Sequence, residues 1–414
     1  MPASPAADPW FQSLFADRIG GANYGKGTDI YKFEKIKRAK RKAITDHPER
    51  KLLDFGIGEN DDMADIAVRE SLTQEANKVE NRGYADNGIQ NYKDAAAEFM
   101  HRQFGVKLDP VTEVCHCIGS KPAYAMLPAC FINPGDITLM TVPGYPVAGT
   151  WTRYLGGEVV RLPLKADKGF FPDLDGLSAD TKKRAKMLVI NYPNSPTGAV
   201  ATTDFYKRVI EFAHKNQVVI VQDAAHILLS YAAEPLSFLQ IDGAKEVGVE
   251  VHSMSKGFNM IGWRLGFVCG NAKIVQAYAD VKDNSDSGQF MAIQHAAALA
   301  LRTPAIPIAI RAKYKRRLEK LVTALKEVGF KCTMPGGTYF LYTNAPLSAG
   351  DRSFGNAEEA SQYLIHDQSV CCVPWDDAGA YLRFSVTYIA HTEAEEDALM
   401  AETVARLKGM RLTF

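Results

Sequence analysis

Residues 251–270 read VHSMSKGFNMIGWRLGFVCG: an apolar strand, a Ser-Met-Ser-Lys turn, a loop of small residues, an arginine eight positions after the lysine, and a second apolar strand. A lysine that attacks a carbonyl carbon to form an imine needs a rigid strand end beneath it. It also needs hydroxyls beside it that can bind an anion, and small residues that let a bound group come close. Ser253, Ser255, Gly257 and Arg264 give Lys256 those neighbours. Taken alone, the same letters also describe a surface lysine in a Gly/Ser loop. The flanking sequence decides between the two.

Strand-like runs recur through the middle of the chain: 114–118 (VCHCI), 137–142 (ITLMTV), 158–164 (EVVRLPL), 187–192 (MLVINY), 218–223 (VVIVQD), 249–254 (VEVHSM) and 265–270 (LGFVCG). Several are continuously apolar, as strands covered on both faces are. Helical periodicity separates them; in DFYKRVIEFAHKN it places Phe205, Val209, Phe212 and Ala213 on one side. Repeated βα units predict an α/β fold whose large domain is a mostly parallel seven-stranded sheet sandwiched by helices. Ligands bind beyond the carboxyl ends of such strands.

The polar residues collect at those ends. After the first run, IGSKPAYAM offers Ser120 as a helix cap, Pro122 in the first turn, and backbone N–H groups at Ser120 and Lys121 for an anion. After the second, PGYPVAG presents Tyr145 on a Pro-flanked turn, either to stack on a flat ring or simply to make the turn. The fourth run leads into PNSPTG, where Asn194 is a fixed donor, and the fifth ends in Asp223. A carboxylate at the end of an apolar strand is costly unless something positive meets it. The sixth supplies Ser253, Ser255 and Lys256, and Arg264 follows with a guanidinium that can grip a phosphate. An anion for a pyridinium, a donor for a phenolate, a phosphate cradle and an amine for an aldehyde together describe pyridoxal 5′-phosphate.

Upstream, LLDFGIGEND is a strand-like entry followed by glycines. RGYADNG is a turn before a helix whose apolar side carries Tyr92, Ala95, Ala96 and Phe99, and its Tyr84, Asp86 and Asn87 either make the turn or meet a ligand. The first residues are polar and irregular up to Tyr31. GANYGKG has no strand leading into it and is not a phosphate loop, and the basic run IYKFEKIKRAKRKAI reads as a solvated helix face. Downstream of Arg302, IPIAIRAKYKRRLEKLVTALKEVGF predicts a long helix with a solvated basic face. KCTMPGGTYFLYTN, CCVPW and YLRFSVTY then predict the strands of a smaller α/β domain. The expected divisions are 1–48 as an N-terminal segment with part of the small domain, 49–303 as the large cofactor-binding domain, and 304–414 as the small domain.

Forty-eight basic and 48 acidic residues cancel, which gives no electrostatic ground for nucleic acid or an acidic membrane. No apolar run is long enough to span a membrane, and the N-terminus lacks a signal pattern, so a cytoplasmic location is expected. Seven cysteines without paired CxxC spacing point to buried thiols rather than disulfides or a metal.

The ordered set GSK, PGYP, PNSPTG, DAAH, SMSKGFNMIGWRLGF and YLRFS resembles the fold-type-I, class I/II aminotransferases over nearly the whole chain. FGIGEND, RGYADNG and the layout around Lys256 are most similar to the LL-diaminopimelate aminotransferases, which exchange an amino group between LL-2,6-diaminopimelate and 2-oxoglutarate in lysine biosynthesis. The resemblance implies pyridoxal 5′-phosphate on Lys256, Asp223 paired with its ring nitrogen, Tyr145 near the ring, and Ser253 and Arg264 on the phosphate, beside Ser120, Lys121 and Ser255. It implies Arg383 on the substrate α-carboxylate, with Gly58, Tyr84 and Asn194 as further substrate contacts, no metal, and a homodimer that shares its sites. GANYGKG and the Tyr84 turn are candidates for reaching the partner's site. Two departures stand out. His226 occupies the position of a tyrosine that donates to the ring oxygen, where it either makes that bond or simply packs. Ser195 replaces a common asparagine, so Asn194 or Ser195 meets the ring oxygen, with Asn194 favoured for its reach. Other readings on the same scaffold are a transaminase for aspartate, aromatic or many amino acids, a carbon–sulfur β-lyase, and a non-catalytic cofactor-binding regulator.

Overall fold

The computed structural model describes residues 9–26 and 32–414. Its main sheet is built from β1 (Val114–Cys117), β2 (Ile137–Val142), β3 (Glu158–Pro163), β4 (Ala185–Asn191), β5 (Val219–Asp223), β6 (Gly248–Ser253) and β7 (Gly266–Gly270). The spatial order is β1-β7-β6-β5-β4-β2-β3, parallel throughout except that β7 runs antiparallel to both its neighbours. Each strand lies within two residues of the run expected from sequence. The continuous apolar runs have a direct cause: alternate residues enter two different cores. Leu188, Ile190, Ile220 and Phe267 pack on one face, and Met187, Val189, Val221 and Val251 on the other. With both faces covered by helices, the strand interiors are mostly apolar, and the polar side chains buried there bond to one another, as His252 Nε2 does to Glu250 Oε2 at 2.8 Å. Register then brings those ends together, with Asn191 opposite Asp223 and Asp223 opposite Val251, two residues before Ser253.

The Thr203–Asn216 helix buries Phe205, Val209, Phe212 and Ala213, and the Gln90–Phe104 helix buries Tyr92, Ala95, Ala96 and Phe99, as their spacing requires. The C-terminal part carries a three-stranded antiparallel sheet of Phe340–Asn344, Tyr381–Ser385 and Val373–Trp375. Leu53 and Asp54 pair in parallel with Val370 and Cys371, which ties the FGIGEND segment to this part of the chain. The Lys32–Asp46 helix buries Ile36, Ala39 and Ala43, and its basic side chains reach Glu358 from Lys35, Asp54 from Lys40 and Asp377 from Lys32. Short helical turns interrupt the N-terminal stretch at Pro9–Gln12, Asp17–Ile19 and Gly21–Asn23, and the end of GANYGKG lies outside the described residues. All seven cysteines are free thiols. Among the described residues no helix is long and apolar enough to cross a membrane.

The long C-terminal helix, Ala305–Glu327, corrects the expectation of a solvated basic face. Arg317 is fully buried, and its guanidinium donates to Glu396 Oε1 at 2.7 Å and to the carbonyls of Val386, Tyr388 and Ala390 at 2.9–3.1 Å. Asp61 Oδ2 lies 3.1 Å from it and accepts from Lys313 at 2.8 Å. Arg316 reaches Glu396 as well, and Lys320 reaches Asp397. A helix-periodic row of cations looks solvated in sequence because its carboxylates come from distant segments. Here those cations join the 55–62 segment, this helix and the Glu393–Lys408 helix.

Candidate active site

Asp223 closes β5 with its side chain buried, and Oδ1 accepts from the Ala225 N–H at 3.0 Å. Burial pushes its carboxyl pKa up to about 6. Among the described residues no cation pairs with it. Asn191, at the end of β4, donates to the Asp223 carbonyl at 3.0 Å and accepts from Ser195 N at 2.8 Å. The two strand ends line one small pocket with Tyr124, Thr141 and Tyr145. Tyr145 is exposed at its mouth, edge-on to Tyr124 with ring centroids 6.2 Å apart.

Lys256 follows β6 in the single turn Met254–Gly257, capped by Ser253, whose Oγ accepts from Ser255 N at 3.2 Å. Its Nζ donates to the Gly58 carbonyl at 2.8 Å, and the Tyr339 hydroxyl donates to the same oxygen at 2.7 Å. Burial pushes the amine down to about 8; Glu59 and Asp223 oppose this, whereas Arg264 and Arg383 add to it. The 55–58 segment thus meets the site through its backbone. Phe55 O accepts from Ser385 N, Gly56 O from Arg383 Nη2 at 3.2 Å, Ile57 O from Thr387 and Gly58 O from Lys256.

The anion side lies at the start of the Ser120–Phe131 helix. Its N-cap, Gly119, has φ 74°, and a Cβ there would overlap Arg264 Nη2, so only glycine lets the guanidinium lie against this turn. Arg264 also donates to Ile261 O at 2.9 Å and, at 3.5 Å, to the Oγ of buried Ser255. The unbonded N–H groups of the first helical turn, among them Ser120 and Lys121, complete the cradle with the Ser253 and Ser255 hydroxyls.

Arg383, on the Tyr381–Ser385 strand, is buried against the Phe340 ring at 4.2 Å, and among the described residues its Nε has no partner. His226 is also buried, edge-on to Tyr339 at 5.3 Å, with Nδ1 unpartnered. Burial, then Lys256 and Arg383, hold it neutral with a pKa of about 3. Asn194 is fully buried and joins two strand-end loops: Oδ1 accepts from Thr197 Oγ1 at 2.7 Å in its own loop, and Nδ2 donates to Pro143 O at 3.4 Å in the turn after β2. Ser195 is only half-buried. Tyr84 stands on the outer surface, without a hydrogen bond to any of these residues. Sequence reasoning missed Asn191, which the strand-end rule would have found. It also missed the Gly56 carbonyl, because a backbone acceptor leaves no trace in side-chain letters, and Tyr339, whose hydroxyl meets the site only through the distant Gly58 carbonyl.

These residues fit pyridoxal 5′-phosphate: a buried carboxylate without a cation, a buried amine of lowered pKa, and a cradle open only above glycine. Among the described residues no cluster of three or more His, Cys, Asp or Glu side chains could hold a metal. Such a set at the strand ends of such a sheet defines an enzyme that works on amino groups through a phosphorylated pyridine aldehyde. The sequence model for aminotransferase class I and II matches residues 50–403, and the chain belongs to that family of pyridoxal 5′-phosphate enzymes.

The chain is 54% identical over 416 residues to the LL-diaminopimelate aminotransferase of Methanocaldococcus jannaschii, covering 98% of this chain and 100% of that one. It is 51% identical over 414 residues to the protein of the same name from Methanococcus maripaludis, again covering 98% and 100%. Among solved structures, substrate-bound BacF from Bacillus subtilis aligns with a TM-score of 0.84 at 30% identity, over 94% of this chain and 97% of that one. A mutant aspartate aminotransferase from Thermus thermophilus aligns at 0.81 with 23% identity, over 94% and 99%, and shares the fold.

Proposed function

We propose that the protein is an LL-2,6-diaminopimelate:2-oxoglutarate aminotransferase of lysine biosynthesis. The observation that carries the reading is identity above one half, over essentially the full length, to two relatives of that name. Bound on Lys256, pyridoxal 5′-phosphate supplies an electrophilic carbon and a ring that takes up the electron pair left when the substrate α-proton departs. The chain's own residues supply the rest. Asp223 would accept from the ring N–H; a cation beside it would draw its raised pKa back down and keep the carboxylate ionised. Lys256 Nζ, a free amine once the substrate has displaced it, is the base that moves the α-proton. Arg383 takes the α-carboxylate, so that the α C–H bond rather than the carboxylate bond is the one broken. Ser120, Lys121, Ser253, Ser255 and Arg264 hold the phosphate, and Tyr145 covers the ring.

For the ring oxygen the candidates are Asn194, Ser195 and neutral His226; the Asn194 amide already donates to Pro143 O at 3.4 Å, and Ser195 is half-buried. Gly58 serves through its carbonyl, which holds the Lys256 amine. Tyr84, exposed on its own subunit, fits a role across the interface of a cytoplasmic homodimer. Residues 49–303 form the large domain, apart from the Leu53–Asp54 strand that pairs with Val370–Cys371, and 304–414, with the described residues of the 1–48 segment, the small one. The test is direct: LL-diaminopimelate with 2-oxoglutarate should yield glutamate faster than aspartate or aromatic donors do in the same panel. Pyruvate released from cystathionine without glutamate would assign the scaffold to a β-lyase instead.

A further inference from the structure

Arg264 has φ 55°, in the left-handed region. For a non-glycine residue this costs about 1 kcal/mol or more and persists only where the surroundings impose it. One amide grips the backbone on both sides of it. Gln289, in the loop before the Met291–Leu301 helix, donates from Nε2 to the carbonyls of both Trp263 and Arg264, each at 2.8 Å. Those carbonyls belong to the peptide planes on either side of Arg264, so holding both fixes its φ and ψ together. The orientation of the amide is also determined. Two carbonyls require the donor end, so Oε1 faces His116 Nε2 at 3.0 Å, and that nitrogen carries the imidazole proton. His116 is fully buried on β1, opposite Phe267 of β7. The Gln289 carbonyl accepts from Gln294 at 2.7 Å, and Gln294 in turn accepts from Ile89 N at 2.9 Å. The clamp is therefore anchored in the sheet and in a helix.

We propose that Gln289, oriented by His116, is a positioning residue for the cofactor phosphate: it holds Arg264 in the left-handed backbone that lays the guanidinium against Gly119. The inference rests on the assignment of Arg264 to the phosphate. Without the clamp, Arg264 relaxes to negative φ and its guanidinium leaves the cradle, while Lys256 and Asp223 stay in place.

The experiment titrates apo-protein with pyridoxal 5′-phosphate and, separately, with pyridoxal, following the absorbance of the Lys256-bound chromophore. Gln289→Leu should weaken the phosphorylated aldehyde about ten- to a hundredfold, the loss expected for two buried hydrogen bonds. Pyridoxal, which does not use the cradle, should bind within about twofold of wild type and also reports that the variant is folded. Gln289→Glu, equal in size but lacking the donor, should behave the same way. In an Arg264→Ala background, Gln289→Leu should add nothing further. Unchanged affinity for the phosphorylated aldehyde in both variants overturns the proposal, as does an equal loss of both aldehydes in both variants, which would make Gln289 a residue of the fold. Arg264→Ala that binds the phosphorylated aldehyde as wild type does would overturn the phosphate assignment itself.

Discussion

Arg264 and Arg383 both press on the Lys256 amine, yet the protein holds them in opposite ways. Arg264 is half-buried, with its backbone clamped by Gln289 and its guanidinium bonded to Ile261 O and laid against Gly119. Arg383 is deeply buried, and among the described residues its side chain makes one hydrogen bond, to Gly56 O at 3.2 Å, with Nε unpartnered and an aromatic ring under its face. Burial pulls its pKa down to about 10, so it is a cation kept short of partners. On the roles proposed for them, the difference follows from how long each anion stays. A resident cofactor is loaded once, and a preassembled cradle serves it. A substrate carboxylate arrives and leaves in every turnover. A desolvated, under-bonded arginine gains most from such a visitor, because no internal carboxylate has to be displaced first.

The sharpest way to break that comparison is Arg383→Leu. Losing a buried charge-assisted pair should lower kcat/KM for the amino donor by about a thousandfold. Affinity of the apo-protein for the cofactor should stay within a few-fold of wild type. Arg383→Lys should recover little, since a single ammonium cannot present two parallel N–H groups. Steady-state kinetics and cofactor titration of the same preparations check both halves. A variant that loses cofactor and substrate together would show that the two arginines share one task.

Arg317 sharpens the contrast as the arginine that is buried and complete. Arg317→Met takes one cation from buried Asp61 and Glu396 and leaves the Val386, Tyr388 and Ala390 carbonyls without their side-chain donor, and should lower stability by about 3 kcal/mol in urea unfolding. Burial raises the Glu396 pKa, but the hydrogen bonds from Arg316, Arg317 and Lys320 outweigh it and bring the carboxyl down to about 2. Its folded pKa lies below its unfolded value, so its contribution to stability is present above the ordinary carboxylate range and is lost as the pH falls towards about 2. Arg317→Met should flatten that acid limb. Arg383→Leu should leave it unchanged and should cost the fold little, since few bonds are lost with it.

How far these roles can be read from the letters follows the same division. The sheet was legible because two covered faces demand continuous apolar runs. Asp223 stood out because a carboxylate that closes such a run is buried at a cost, which a bound cation offsets. Lys256 and Arg264 lie in one short stretch with two glycines and two serines. Arg317 could not be told from its solvated neighbours Lys315 and Glu319, because what buries it comes from Asp61 and Glu396 far along the chain. Gln289 lies in a polar loop, DNSDSGQF, whose composition is that of any connection. Gly56 and Gly58 act through carbonyls, which every residue carries.

The smallest effect concerns Lys256 itself. Its pKa of about 8 reflects burial first, and the two arginines lower it further against Glu59 and Asp223. Only the neutral amine attacks an aldehyde, so the rate at which apo-protein captures the cofactor should rise with pH and level off near 8. Below that it should fall about tenfold per unit as the amine is protonated. Removing a neighbouring cation makes protonation easier. Arg383→Leu should therefore move the inflection upward and slow capture near pH 7.5 by a few-fold, without changing the plateau above it. Arg264 precedes Arg383 among the influences on this amine, so Arg264→Ala should move the inflection farther in the same direction. Stopped-flow absorbance between pH 6 and 10 reads both shifts. An inflection that stays fixed in both variants would show that burial alone sets the Lys256 amine and that the two guanidiniums act only on the anions they bind.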